Sequence, residues 1–150
     1  MTYGTAESVG SSSATYQNSG IRSWLNNDFY NAAFTASEKS SIKDITINDL
    51  GISDRVTLLS YSERAEYLAM WRIEQCLAIA TEYAVNAGLS LDNNAGSTEF
   101  GWWWLRQESD NISSGNLTYP SSAYKSTGCS SSANKVYGIR PVICVDDKAF

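Results

Sequence analysis

The sequence predicts an α+β domain, and three observations carry that prediction. In the first half, apolar residues recur at three- and four-residue steps, the spacing of amphipathic helices. From residue 101 onward they fall instead into short two-sided runs of strand character, "GWWWLRQ" and "KVYGIRPVICVD". Those two runs are joined by the polar stretch "QESDNISSGNLTYPSSAYKSTGCSSSAN", residues 107–134, too long for a hairpin turn.

Composition narrows the function classes. A chain of 150 residues with 43% hydrophobic and 18% charged side chains fits one domain with a real core. Asp and Glu number 16 against 11 Lys and Arg, for a net charge of -5, and the basic residues form no stripe. A nucleic-acid partner is therefore not expected, because phosphate neutralisation needs clustered cations. No run approaches the ~18 apolar residues of a membrane span, so no membrane insertion is expected. "MTYGTAESVGSSSATY" lacks the basic start and apolar middle of a signal peptide. The expectation is a soluble chain, exported, if at all, within a longer parent or a particle. Three cysteines without CxxC spacing, and no histidine at all, remove imidazole chemistry and most zinc sites. No metal and no cofactor are expected.

Residues 1–17 are rich in Ser, Thr and Gly and read as an extended N-terminal arm, leaving 18–150 as the domain. In "NSGIRSWLNNDFYNAAF", Ile21, Trp24, Leu25, Phe29, Ala32 and Ala33 form one helical face, with Asn18 or Ser19 as N-cap. Thr35 and Glu38 have capping-box spacing and predict a second, short helix. "DRVTLLS", residues 54–60, reads as a strand. Ser60 and Glu63 repeat the box and start a helix carrying Ala65, Leu68 and Ala69 inward. The helical pattern continues or restarts with Ile73, Cys76, Leu77, Ala80, Tyr83 and Ala84 on one face, and Gly88 marks its stop.

"LSLDNNAGST" is a loop by composition. Alternation in "GWWWLRQ" then puts Trp102, Trp104 and Arg106 on one face and Trp103 and Leu105 on the other. Both faces are bulky, so this strand should be central. In the closing run, Ile139, Ile143 and Val145 face one way and Val142 and Cys144 the other; Pro141 marks a bulge or the end of a pairing. A Cys76–Cys144 bridge is open to the sequence, but alternation makes Cys144 a small buried hydrophobe.

Several fragments together carry a resemblance. "NSGIRSWLNNDFYNAAFTASEKSSI", "DRVTLLSYSERAEYL", "ATEYAVNAG", "GWWWLR" and "YGIRPVICV" resemble, in the same order, a bacterial and phage family. That family reads as an R-x-WLN-x-x-FY helix, a D-x-V-x-LLS strand, a T-x-YA helix, WWLRS and a closing GVRP, and the likeness covers about residues 18–146. The resemblance implies a C-type-lectin-like fold: two main helices packed on twisted antiparallel strands, the scaffold also used by formylglycine-generating enzymes and phage tropism determinants. Similar domains are variable proteins of diversity-generating retroelements, in which the stretch between the tryptophan strand and the closing "RP" is hypermutated. Here that stretch would be residues 107–137. The chain has "WWLRQES" where the family has WWLRSPG, which implies that positions from Gln107 onward vary or meet ligand. It also has only a Ser-rich arm where the family has strands before its first helix. Adenine-directed mutagenesis of AAC-type codons yields no Lys, Glu, Gln, Met or Trp, and in residues 109–134 only Lys125 falls outside the permitted set.

The polar segment is the expected binding face. Tyr supplies rigid amphipathic contact area, while Ser, Gly and Asn supply adaptable hydrogen bonds. Tyr119, Tyr124 and Tyr137 are the expected anchors, with Gln107, Glu108, Asp110, Asn111, Asn116 and Lys125 as polar contacts. Trp102, Trp103 and Trp104 could form an aromatic platform, but two-sided alternation favours a structural role for them; Trp24, on the apolar face of the first helix, is expected to be structural as well. Arg106 and Arg140 border the segment and are expected to clamp loop backbone or an acid such as Asp28.

The leading expectation is thus a ligand-binding module for a protein or glycan on another cell or particle, in a phage tail tip or a bacterial surface protein. The alternative is an assembly domain of a larger protein, or a homo-oligomer. An enzyme is the third reading: the formylglycine-type reaction depends on paired metal-binding cysteines, and Cys129 and Cys144 form no such pair. "LDNN", residues 91–94, lacks the Glu-Pro-Asn type of triplet that calcium-dependent lectins use.

Overall fold

A computed structural model gives the fold and describes residues 15–68, 78–91, 100–106, 117–119, 129–131 and 136–146. Among the described residues, helices and three two-stranded antiparallel ladders make it an α+β structure.

After a 3-10 turn, Tyr16–Asn18, the chain enters α1 (Gly20–Trp24), a π-helical turn (Leu25–Phe29) and α2 (Tyr30–Ala33). The residues at both joints keep right-handed helical angles. Ser19 is the N-cap, its hydroxyl accepting from the Arg22 N–H at 3.1 Å. The π turn has a local cause. The Asn26 and Asn27 side-chain amides donate to the Arg22 and Ser23 carbonyls four residues back, in competition with backbone N–H groups. The Tyr30 N–H accordingly reaches back five residues, to the Leu25 carbonyl. One extra residue in a turn rotates the remainder of the helix by roughly 100° about its axis. Ile21 and Leu25 are therefore buried as expected, whereas Ala32 and Ala33 are exposed.

The Thr35–Glu38 capping box forms and starts α3 (Ala36–Ser41). Next, β1 (Ile42–Lys43) pairs with β6 (Cys144–Val145), and β2 (Ile45–Ile47) pairs with β3 (Ile52–Asp54) around a turn in which Gly51 has φ 62°. The strand expected over residues 54–60 is shorter than its apolar run. Only Asp54 belongs to β3; Val56, Thr57 and Leu58 are buried but join their neighbours by the single bridges Thr57↔Val142 and Ser60↔Arg106. Asn26 replaces the missing ladder, donating to the Val56 carbonyl at 2.9 Å and accepting from the Arg55 and Val56 N–H groups.

The Ser60–Glu63 box starts α4 (Tyr61–Tyr67). Ala69, Ile73, Cys76 and Leu77 lie outside the described residues. The chain is extended at Ile79, which bridges Phe100, and α5 (Glu82–Asn86) begins afresh with Thr81 as its cap. Tyr83, expected inward, is 85% exposed because this restart sets a new helical phase. Gly88 stops the helix at φ 86°.

Cys144 is corrected by the ladder. It sits opposite Lys43 and is a free, exposed thiol, so neither the bridge to Cys76 nor the buried hydrophobe is found. Pro141 falls where the closing strand changes partner, from Trp103 at Gly138 to Thr57 at Val142, as its missing N–H predicts.

The core gathers Tyr16, Ile21, Leu25, Ile47, Val56, Leu58, Trp104 and Tyr137. Tyr16, assigned to the arm from the sequence, is wholly buried and its hydroxyl bonds Thr57 Oγ1 at 3.0 Å. Burial raises the Tyr16 pKa well above its usual value. The folded state therefore holds a proton that the unfolded chain releases near pH 10, so stability is complete below that pH and falls as pH rises above it. Denaturant titrations at pH 9 and pH 11 are expected to show that fall, and Tyr16→Phe to reduce it.

Candidate functional site

The tryptophan run forms the base from which the polar segment leaves and to which it returns. The Gly101 N–H donates to the Ala78 carbonyl at 2.9 Å and the Trp102 N–H to the Ser90 carbonyl at 3.1 Å. On the returning chain, the Gly138 N–H donates to Trp102 at 2.7 Å and its carbonyl accepts from Trp104 at 3.0 Å, a parallel bridge centred on Trp103. A Cβ at Gly138 would lie 3.3 Å from the Trp102 carbonyl oxygen, closer than side chains ordinarily sit. Ser90 also donates to the Val136 carbonyl. Because the two runs lie parallel, the segment leaves at one end of this pairing, at Arg106 beside Leu59, and returns at the other, at Val136 beside Ser90.

Trp103, Trp104, Leu105 and Arg106 are all buried, so the run is two-sided as the alternation predicts. Trp104 packs on Tyr137 with ring centroids 4.6 Å apart, and Trp102, partly buried, lies 6.0 Å from the same ring. Tyr137 is only 6% exposed. Its expected role as a ligand anchor is corrected: the strand pairing at Gly138 turns the preceding ring into the core. The Arg140 guanidinium sits 4.6 Å over the Trp103 ring, a cation–π contact. Trp24 is partly buried and its ring packs at a tilt against Phe29, centroids 5.2 Å apart.

Arg106 closes the base. Its backbone N–H donates to the Leu59 carbonyl at 2.8 Å, and its side chain, 3% exposed, donates to the Leu58 carbonyl, to Asp49 at 3.4 Å and to Glu63 at 2.5 Å. The clamp expected from the sequence is therefore present, but its acids are Glu63 and Asp49. Asp28 is exposed on the helix and is not its partner. Sequence spacing could not identify Glu63, because the capping box already accounted for that residue.

Gln107, Glu108, Asp110, Asn111, Asn116, Tyr124 and Lys125 lie outside the described residues. Tyr119 is placed by its backbone, at the end of β4 (Leu117–Tyr119), which pairs with β5 (Cys129–Ser131) in the register Tyr119↔Cys129. The polar stretch thus contains an antiparallel ladder that its composition did not predict.

Away from this base, a cavity of about 360 Å³ is lined by polar side chains including Gln17, Asn18, Asn26 and Asp54. Its buried carboxylate is ion-paired: Arg22 Nη2 donates to Asp54 Oδ1 at 2.8 Å and Nε to both oxygens at 3.0 Å, and this bonding raises the Arg22 pKa. No spacing in the sequence signals this pair, whose members are joined only by the fold. Among the described residues, no three His, Cys, Asp or Glu side chains converge as a metal site, and no helix is long and apolar enough to cross a membrane.

Residues 3–147 match the family described as a domain of unknown function, DUF6273. The chain belongs to this family. The DUF6273 match takes in most of the stretch read from the sequence as an arm, in keeping with the burial of Tyr16. The chain matches none of the curated proteins and none of the solved structures.

Proposed function

We propose that the chain is a C-type-lectin-like ligand-binding module whose face, drawn from residues 107–137, binds a protein or glycan on another cell or particle, without catalysis. The observation that supports this reading best is the anchorage of the polar segment at both of its ends. Trp102–Trp104 and Gly138 tie the two flanking runs to each other on backbone hydrogen bonds, Ser90 holds the return at Val136, and Arg106 fixes the exit with acceptors from three elements. A polar segment tied at both ends to a buried base is how binding loops are displayed on a rigid scaffold. The residue types within it are those of adaptable recognition surfaces. Tyr137 is removed from the contact set, which leaves Tyr119 and Tyr124 as its aromatic members.

A glycan array and a panel of bacterial surface proteins are the screens for a ligand. With one in hand, Tyr119→Ala and Tyr124→Ala are each expected to weaken binding at least roughly tenfold, the behaviour of interface hot spots. Unchanged affinity in both removes the anchor role. Diversification by a retroelement is read in the gene: a neighbouring reverse transcriptase and a near-repeat of the segment's coding sequence are expected, and without the repeat that part of the proposal falls.

The second reading, an assembly domain of a larger phage tail or surface protein, is favoured by one observation: Ile79, Tyr83 and Tyr67 are large apolar side chains left mostly exposed.

A further inference from the structure

We infer that Glu63 is the positioning residue of the polar segment, one carboxylate serving both as the cap of α4 and as the clamp on Arg106. The inference rests on reading residues 107–137 as the binding segment. Glu63 Oε2 accepts from the Ser60 N–H at 2.8 Å, and the Glu63 N–H donates to Ser60 Oγ at 3.1 Å, so the capping box fixes the carboxylate's orientation. Its other oxygen, Oε1, receives Arg106 Nη2 at 2.5 Å. Ser60 is also the residue that bridges Arg106 in parallel, and the Arg106 N–H bonds Leu59 immediately before it. The first turn of α4 and Arg106, the residue before Gln107, therefore share one carboxylate and one stretch of backbone. A change at the N-terminus of α4 is transmitted to the root of the segment without passing through the hydrophobic core.

Two variants separate the two halves of this carboxylate. Glu63→Gln keeps an oxygen for the Ser60 N–H, since glutamine also closes a capping box, but turns an amide toward Arg106. Ser60→Ala keeps the Glu63 charge and removes the hydroxyl that orients it. Amide hydrogen exchange on the whole chain, without ligand, reads both.

In Glu63→Gln, exchange at the Arg106 amide is expected to rise roughly 10- to 100-fold more than at the Thr57 amide, the scale of a lost charge-assisted hydrogen bond. The Leu68 amide, bonded to the Arg64 carbonyl in α4, stays near its original rate. In Ser60→Ala, both Leu68 and Arg106 are expected to exchange faster. The inference is overturned if Arg106 and Thr57 rise by the same factor in Glu63→Gln, the mark of a merely global loss of stability. It is equally overturned if Ser60→Ala loosens α4 and leaves Arg106 unchanged, and that variant decides alone should Glu63→Gln not fold. Because no ligand enters the measurement, its outcome is independent of whether Tyr119 and Tyr124 contact one.

Discussion

Replacing Trp104 with alanine is expected to lower the free energy of unfolding by about 3–5 kcal/mol, the range for truncating a buried Trp or Phe. In a domain of this size that corresponds to a fall in Tm of roughly 10–20 °C. The ring is wholly buried, packed at a tilt against Tyr137, and belongs to the same cluster as Tyr16, Leu25, Val56 and Leu58. Its loss leaves a cavity bordered by the first helix, the run after β3 and the returning strand, which cannot all collapse into it. Chemical denaturation followed by far-ultraviolet circular dichroism measures the change. Trp102→Ala, at a partly buried position in contact with the edge of the same cluster, is expected to cost less. Equal losses at the two positions would contradict the placement of Trp104 at the centre.

Arg106→Met is expected to cost about 2–4 kcal/mol, somewhat less than the usual penalty for breaking a fully buried ion pair. The discount comes from Glu63, whose side chain is 34% exposed and can recover some hydration when its partner is removed. Methionine fills the aliphatic path of the arginine but leaves the Leu58 carbonyl, Asp49 and Glu63 without that donor. Arg106→Lys keeps a charge without the planar fork, and should recover only part of the loss because one ammonium cannot reach acceptors on three elements. Thermal melts of the two variants beside the parent chain test this. A methionine variant as stable as the parent would mean that Arg106 is not a clamp.

What the sequence made legible was local. Ser19, the Thr35–Glu38 and Ser60–Glu63 boxes and the Gly88 stop are each decided within one turn of chain, and all four stand where their spacing put them. The two-sided burial of the tryptophan run was legible for the same reason, since alternation is a property of adjacent residues. Failures came where a distant partner decides. Ala32 and Ala33 leave the core because side-chain amides widen the helix before them, and Tyr83 faces out because the helix restarts at Thr81. Cys144 looked buried in an apolar run, yet its ladder partner is Lys43 on the solvent side. The acids that hold Arg106 come from a hairpin turn and a helix cap, positions that no spacing rule connects to residue 106. For the proposed binding face, the boundary at Gln107 was legible as an abrupt change in residue type; the inward turn of Tyr137 was not, because it depends on Gly138 docking against Trp102 and Trp104.

The side-by-side attachment at Trp103 and Gly138 bears on length as well as sequence. Once two points of a chain are pinned together, the entropic cost of the intervening tether grows only as the logarithm of its length, about 0.6 kcal/mol for each doubling. Insertions or deletions between Arg106 and Val136 are thereby expected to cost little, provided they leave the two footings and the β4–β5 ladder intact. If the proposed binding role holds, such a footing accepts segments of different sizes, not only of different letters.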